Sequence, residues 1–197
     1  MNTHTICGYL WTAWVLVGLL WAMQSKQTSR RESLASQISY RVPVVVAFYF
    51  VFYPRLFTPW WTSNVLPYRG WFGWLGIAIS VLGFGLTFWA RAILGANWSG
   101  TVTVKVGHEL IRTGPYRFVR HPICTGILVA MAGSALVYDQ WRGIVTVALL
   151  WVSFTIKRLK EEQFMRQTFD AQYVEYSRDT GAIFPVLRRG ADTSLHG

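Results

Sequence analysis

Five apolar stretches interrupt this 197-residue chain, and each approaches the length needed to cross a membrane. They are residues 6–23, 42–57, 71–94, 123–138 and 144–156. A helix needs about 20 apolar residues to cross about 30 Å of hydrocarbon. The span is helical because lipid offers no partners for backbone polar groups, so the helix must pair them itself. The last stretch is short, and we expect its helix to continue inward beyond it. The sequence therefore predicts an all-α fold, a polytopic membrane bundle of about five helices.

The positions of the basic residues explain the net charge of +10. Sixteen of the 19 Lys and Arg residues lie between the first and second stretches, at the inner end of the third (Arg91), between the third and fourth, or after the fifth. Only Arg55, Arg69 and Arg142 lie on the opposite side. Because basic residues accumulate in cytoplasmic segments, this bias predicts an outer N-terminus and a cytoplasmic C-terminus. We therefore expect contact with membrane lipid, no nucleic-acid partner and no obligate protein partner.

The stretches define one integral-membrane domain over residues 1–197. The first three spans occupy residues 1–93, a catalytic part with spans four and five occupies 94–187, and 188–197 form a flexible tail. Alternating polar and apolar residues in TVTVKV (101–106) predict a short strand, and polar residues 24–40 predict a cytoplasmic loop. Arg91, near the inner end of the third span, is expected to reach the lipid headgroups, and the alternative is that it faces a polar site. Cys7 and Cys124 fall on opposite sides, which excludes a disulfide between them.

A cationic, turn-rich segment, RTGPYRFVRHPICTG (112–126), opens directly into the fourth span. Pro122 suits the first turn of a helix, so free backbone N–H groups near Ile123 and Cys124 would face the cytoplasmic interface. Such groups attract a carboxylate or another anion, and Arg120 and His121 lie just before them. The alternative is that these cations only hold the helix end at the lipid headgroups.

A second polar segment, KRLKEEQFMRQTFDAQYVEY (157–176), continues inward from the fifth span. The segment contains three oppositely charged pairs at i,i+4 spacing, namely Lys157–Glu161, Arg158–Glu162 and Glu162–Arg166. A surface ladder of this kind contributes only tenths of a kcal/mol per pair. Charges within about a turn of the bilayer edge need a partner or a ligand, so Arg158 and Glu162 are also candidates for a site.

Several common chemistries lack their motifs in this chain. The four His and two Cys show no metal-ligand spacing, and no P-loop, G-x-S-x-G or dinucleotide fingerprint is present. Any cofactor would therefore be held by the loops at the membrane edge.

Two segments together resemble the isoprenylcysteine carboxyl methyltransferase family, which is related to phospholipid N-methyltransferases. One is LGANWSGTVTVKVGHELIRTGPYRFVRHPICTG, and the other is KEEQFMRQTFDAQYVEYSRDTGAIFP. The first segment contains the pattern H-x-L-[VI]-x-x-G-P-Y-x-x-x-R-H-P. A pair of spans follows, and the second segment contains E-E followed by spaced aromatic residues. The resemblance implies a helical bundle that encloses S-adenosylmethionine at its cytoplasmic side and admits a lipophilic substrate from the bilayer.

The same resemblance implies the roles of individual residues. The expected cofactor-binding residues are His108, Glu109, Leu110, Ile111, Tyr116, His121, Pro122, Ile123, Cys124 and Glu162. Arg158, Glu162 and Arg120 are the expected catalytic residues, with Glu162 accepting hydrogen bonds from the cofactor and Arg158 facing the substrate. Cys124 departs from the family, which usually has Tyr at this position, so the cofactor wall loses a ring and a hydroxyl.

The expected reaction moves a methyl group from S-adenosylmethionine to the carboxylate of a prenylated cysteine or a similar lipophilic substrate. A carboxylate is ionised at neutral pH, so it needs no general base, and Arg158 could position it by a charge-assisted bond. An amine would have to lose a proton first, and Glu162 or His121 would be the nearest bases. Phospholipid amines and thiols remain alternatives, as do an NADPH-dependent sterol-type reductase of similar fold and a non-enzymatic scaffold that binds anionic lipid.

Overall fold

The computed structural model describes residues 2–23, 28–53, 59–66, 70–98, 103–105 and 110–186. The helices in this part of the chain are α1 (Thr3–Ala22), α2 (Leu34–Phe52), α3 (Gly70–Leu94), α4 (Pro122–Tyr138) and α5 (Trp141–Asp179). Short 3-10 turns occupy Pro59–Thr62, Gly95–Asn97 and Gly114–Arg117, and strands β1 (Thr28–Arg31) and β2 (Thr103–Lys105) pair antiparallel. The strand predicted in TVTVKV is confirmed at β2.

The long helices have the composition of membrane spans. Within the described residues, α1, α2 and α3 contain segments long and apolar enough to cross a membrane, and α4 is a shorter apolar helix of 17 residues. α5 has 39 residues and extends well past the fifth apolar stretch, as expected from the sequence. The predicted helical membrane bundle is confirmed.

The helices alternate in direction and bring most basic segments to one end of the bundle. The start of α2 lies near the middle of α5, where Lys160 Nζ donates to the Ser36 carbonyl at 2.9 Å. The ends of α1 and α3 also meet there, because the Arg91 guanidinium donates to the Trp21 carbonyl at 2.7 Å. Arg91 is buried between the Trp21 and Trp98 rings, so the expectation that it reaches the headgroups is wrong. Neighbouring carbonyls and rings satisfy it inside the protein.

Glycines let α3 and α4 cross in backbone contact. A Cβ on Gly83 would lie 2.5 Å from the carbonyl oxygen of Gly126. One on Gly76 would lie 2.6 Å from the carbonyl oxygen of Gly133. Small residues are common where membrane helices associate, since apolar burial alone does not drive association in lipid. This crossing fixes the start of α4 against the end of α3.

A buried polar network joins the first half of α1 to the last part of α4. The Ser134 hydroxyl accepts from Trp11 Nε1 at 2.9 Å and from the Cys7 thiol at 3.3 Å. Ser134 itself donates to the Ala130 carbonyl at 2.8 Å. Both cysteines are free and buried, which confirms that they do not pair.

The start of α2 differs from the sequence prediction. The second apolar stretch begins at residue 42, after a predicted cytoplasmic loop over 24–40, but the helix begins at Leu34. Ser33 caps it by accepting from the Ser36 backbone N–H at 3.3 Å, which is a common way to begin a helix. Pro43 therefore lies inside the helix, where membrane proteins tolerate proline because neighbouring groups can satisfy the freed carbonyl.

α5 is kinked at Asp170, which has φ 40° and ψ −120°. A positive φ is strained for a residue with a Cβ, so this position divides α5 into a long part and a short final part. The final part turns toward the segment that precedes α4. The expected tail at 188–197, together with His108 and Glu109, lies outside the described residues.

Candidate functional site

The backbone after α5 returns to pair with the residues that precede α4. The N–H of Arg120 donates to the Gly181 carbonyl at 2.8 Å, and the N–H of His121 donates to the Ala182 carbonyl at 3.0 Å. We call residues 180–183 the strap. Gly181 suits this path because a Cβ there would collide with the backbone of Phe184. The strap thus holds two of the predicted site residues against the start of α4.

Glu162 lies at the centre of the cluster that these elements form. Its Oε1 accepts from Arg120 Nη2 at 3.0 Å and lies 3.6 Å from Arg158 Nη1. The same oxygen lies 3.4 Å from His121 Nε2. Glu162 is only 7% exposed, so these groups face each other largely without water. The predicted pairing of Arg158 with Glu162 is present, whereas the ion pairs found in the described chain do not include Arg166.

Glu161 lies beside this cluster and contacts the same histidine. Its Oε2 lies 3.3 Å from His121 Nδ1, and its Oε1 lies 3.0 Å from Lys157 Nζ. The two glutamates therefore face the two nitrogens of one imidazole. The i,i+4 spacing of Lys157 and Glu161 predicts only a surface ladder, and it indicates no site role for Glu161. Its adjacency to Glu162 in E-E was the available signal, since successive helical residues lie on adjoining faces.

The cluster contains polar atoms that lack protein partners. Within the described part of the chain, His121 Nε2 and Arg158 Nε are buried without a hydrogen-bond partner. Arg120 differs, because its Nη1 donates to the Ser177 carbonyl at 3.0 Å and also to the carbonyl of Thr180. Arg120 thus joins Glu162 to the strap, while His121 and Arg158 keep donor capacity for a ligand. Buried polar atoms without partners are uncommon and require an explanation.

Burial and charge act in opposite directions on the carboxyl groups. Burial raises the pKa of Glu162, but the close contact with His121 and the charge of Arg120 outweigh it, so the pKa falls to about 2. Burial likewise raises the pKa of Glu161, but the charge of Lys157 and the contact with His121 lower it to about 2. Both groups are therefore carboxylates at neutral pH.

The imidazole responds in the opposite sense. Burial lowers the pKa of His121, but the close contacts with Glu161 and Glu162 and the charges of both carboxylates outweigh burial and raise it. His121 therefore holds a second proton more readily than an exposed histidine.

A 3-10 turn places Tyr116 beside the cluster. Gly114 begins the turn with φ 58°, a conformation that suits glycine. Tyr116 is buried, and its carbonyl accepts from the Tyr176 hydroxyl at 2.6 Å. Arg112 donates to the Gln172 carbonyl at 2.7 Å, which also ties this segment to the final part of α5.

The remaining predicted cofactor residues lie in the same region. Leu110 and Ile111 are half-buried just before the 3-10 turn. Pro122, Ile123 and Cys124 form the first turn of α4, where Cys124 is buried. The structure brings Arg120, His121, Arg158 and Glu162 into direct contact; the functional roles of these residues stay predictions.

The fold and this cluster define an integral membrane protein with a buried ionic site at the basic end of its helical bundle. The sequence pattern of the phospholipid methyltransferase family matches residues 71–172, which is more than half of the chain. The chain therefore belongs to this family of membrane methyltransferases.

Individual relatives are consistent with this assignment. Protein-S-isoprenylcysteine O-methyltransferase B of Arabidopsis thaliana is 30% identical over 142 residues, which is 70% of this chain and 66% of that protein. Protein-S-isoprenylcysteine O-methyltransferase of Saccharomyces cerevisiae is 28% identical over 116 residues, which is 57% of this chain and 48% of that protein. The chain thus spans between 48% and 66% of the length of these curated relatives. The resemblance to the isoprenylcysteine carboxyl methyltransferases is confirmed.

A solved structure is also similar to this chain. The eukaryotic intramembrane Ras methyltransferase ICMT aligns with 77% of this chain and 51% of that one, with 23% identity and a TM-score of 0.49.

Proposed function

We propose that this protein transfers a methyl group from S-adenosylmethionine to the carboxylate of a lipophilic substrate, with a prenylated cysteine as the favoured acceptor. The observation that carries this proposal is the buried cluster around Glu162, in which cations outnumber carboxylates at one end of a membrane bundle. Membership of the methyltransferase family supports methyl transfer as the reaction. The names of the relatives support a prenylated cysteine as the acceptor.

The residues of the cluster fit the proposed cofactor. S-adenosylmethionine carries an ammonium, a carboxylate and a sulfonium, and when bound it supplies an electrophilic methyl group on sulfur. The Glu162 carboxylate is an acceptor suited to the ammonium. The buried, unpartnered His121 Nε2 is a donor suited to the carboxylate. Tyr116, Pro122, Ile123 and Cys124 offer largely apolar walls beside these polar groups.

The charge of the cluster favours an anionic acceptor. Arg120, Lys157 and Arg158 are three permanent cations against the two carboxylates Glu161 and Glu162, and a protonated His121 adds to the excess. A bound sulfonium would increase it further. An acceptor carboxylate would offset this charge, and the Arg158 guanidinium, with an unpartnered buried Nε, is suited to orient it.

An amine acceptor fits the electrostatics less well. It would need a base to remove a proton before it could attack the methyl group. The pKa of Glu162 is about 2, which makes its carboxylate a weak base. The pKa of His121 is raised, so the imidazole tends to hold its proton already. A carboxylate acceptor requires neither group to accept a proton.

A methyl-transfer assay with radiolabelled S-adenosylmethionine tests the proposal. Purified protein in lipid is offered a prenylcysteine, a phospholipid amine or a thiol, and each product is then treated with alkali. A methyl ester releases labelled methanol, whereas an N-methyl or S-methyl product keeps its label. We expect alkali-labile label on the prenylcysteine. Stable label on the amine or thiol would overturn the acceptor assignment.

Two further arms address the other classes of function. Substrate-dependent oxidation of NADPH without methyl transfer would identify a reductase. Absence of saturable binding of S-adenosylhomocysteine in calorimetry would favour a scaffold that only contacts anionic lipid.

We also propose that the ionic cluster faces the cytoplasm. This rests on the positive charge at the end of the bundle that carries it. The test is to replace exposed Arg178 with cysteine in a variant whose buried native cysteines are changed to alanine. An impermeant thiol reagent added to intact cells should not label it, and labelling before lysis would overturn the orientation.

A further inference from the structure

The arrangement around His121 points to a role for a residue that the proposed function does not use. His121 has a side chain only 10% exposed, and each ring nitrogen faces a different glutamate. Nδ1 faces Glu161 at 3.3 Å and Nε2 faces Glu162 at 3.4 Å. Nε2 is fully buried and has no hydrogen-bond partner among the described residues, whereas Nδ1 is not one of the buried atoms without a partner. The two sides of the ring are therefore not equivalent.

Glu161 is itself held in place by a second contact. Lys157, one helical turn earlier, lies 3.0 Å from Glu161 Oε1 and leaves Oε2 to face the imidazole. The side chains of Lys157 and Glu161 are 17% and 20% exposed, so this is not a solvated surface pair. An ion pair screened little by water restricts the carboxylate to one geometry. Lys157, Glu161 and His121 thus form a chain of contacts that ends at the unpartnered Nε2.

We propose that Glu161, oriented by Lys157, is a positioning residue that keeps a proton on Nδ1 of His121 and directs Nε2 toward the cofactor site. This rests on the proposed function, because the group that Nε2 would meet is the carboxylate of S-adenosylmethionine. The hydrogen bond at one ring nitrogen of a histidine decides the state of the other. With Nδ1 donating to Glu161, the second proton sits on Nε2, which can then donate to an anion.

The surroundings of the ring determine the expected pH dependence. The charged groups that contact His121 are Glu161 and Glu162 on α5, and these glutamates in turn contact Lys157, Arg158 and Arg120. Tyr116 in the 3-10 turn and Cys124 on α4 are titratable groups that interact with Glu161. Burial opposes the imidazolium, and the two carboxylates raise the pKa of His121 despite it. Removing the charge of Glu161 should therefore lower this pKa, so that Nε2 loses its proton at a lower pH.

The test uses the full-length protein with isotope-labelled histidine, and a His121→Gln variant assigns the signal. In Glu161→Gln without cofactor, we expect the pKa of His121 to fall measurably. Glu175→Gln is the matched control, because this glutamate lies on the same helix, is largely exposed and faces Arg112 at 3.8 Å. An unchanged His121 pKa in Glu161→Gln would overturn the proposal.

Calorimetry with S-adenosylhomocysteine provides the second measurement. Glu161→Gln should bind about tenfold more weakly near neutral pH, since a charge-assisted bond is lost, and should recover as the pH is lowered. Glu161→Asp keeps the charge and should retain part of the affinity. Equal affinity in wild type and Glu161→Gln at every pH would also overturn the positioning role. If wild type binds no S-adenosylhomocysteine, the proposed function fails, while the shift in the apo protein still tests Glu161.

Discussion

Replacing Gly83 by alanine should force α3 and α4 apart. The added methyl carbon would lie 2.5 Å from the Gly126 carbonyl oxygen, and even nearer to the backbone nitrogen of Ala130, whereas ordinary contact begins at 3.4 Å. Both neighbours are backbone atoms, so no side chain can rotate away. The helices would have to separate by about 1 Å, a gap that forfeits a substantial part of the dispersion energy of each contact.

The expected loss of stability follows from overpacking. Extra methyl groups in a well-packed interior typically cost about 1–3 kcal/mol. For a chain of this size, that corresponds to a fall in melting temperature on the order of 5 °C. Gly126 lies little more than one turn from His121, so the same displacement should move His121 relative to Glu162 and reduce methyl transfer.

A thiol-reactive fluorogenic dye can follow unfolding, because Cys7 and Cys124 are both buried and free. The matched control is Gly85→Ala, two residues along the same helix, where an added Cβ meets nothing within 4 Å. This control should be neutral or slightly stabilising, because alanine favours a helix over glycine by about 1 kcal/mol. If Gly83→Ala melts at the same temperature as Gly85→Ala, the close crossing of α3 and α4 is refuted.

Three further predictions concern the site and α5. Arg158→Ala should abolish methyl transfer at unchanged membrane expression, while the exposed Arg166→Ala keeps it; equal activity in both would refute the role of Arg158. Asp170→Gly should raise the unfolding temperature, since relief of a positive φ contributes about 1 kcal/mol, and a lower temperature would contradict the kink. The pKa of Glu162 falls from 4.5 to about 2 on folding, so its contribution to stability is present above pH 4.5 and is lost as the pH falls toward 2. Glu162→Gln should therefore flatten the loss of stability in acid, as followed by the dye assay, and an unchanged acid slope would contradict this.

The sequence predicted the membrane helices and several contacts of the ionic cluster because both leave local signals. Long apolar runs predict spans, and Pro122 after Arg120 and His121 predicts a helix start beside cations. The i,i+4 spacing of Arg158 and Glu162 predicts their contact, because such residues share a helix face.

Other contacts could not be predicted because they depend on how distant segments meet. Nothing near Arg91 indicates that the end of α1 will supply the Trp21 carbonyl to it. The pairing of the strap with Arg120 and His121 joins segments about 60 residues apart, and it forms only in the folded bundle. Ser33 is a common capping residue and indicated the early start of α2. The polar residues around it nevertheless predicted a loop instead of a helix.

The strap also implies an order of events during biosynthesis. Apolar spans can enter the bilayer one after another as the ribosome releases them, whereas Arg120 and His121 gain their backbone partners only after residues 181 and 182 exist. The apolar parts of all the described helices can therefore enter the lipid before the strap forms these backbone hydrogen bonds. A nascent chain halted after Asp170 would contain every side chain of the ionic cluster but would lack the strap that supplies the backbone partners of Arg120 and His121.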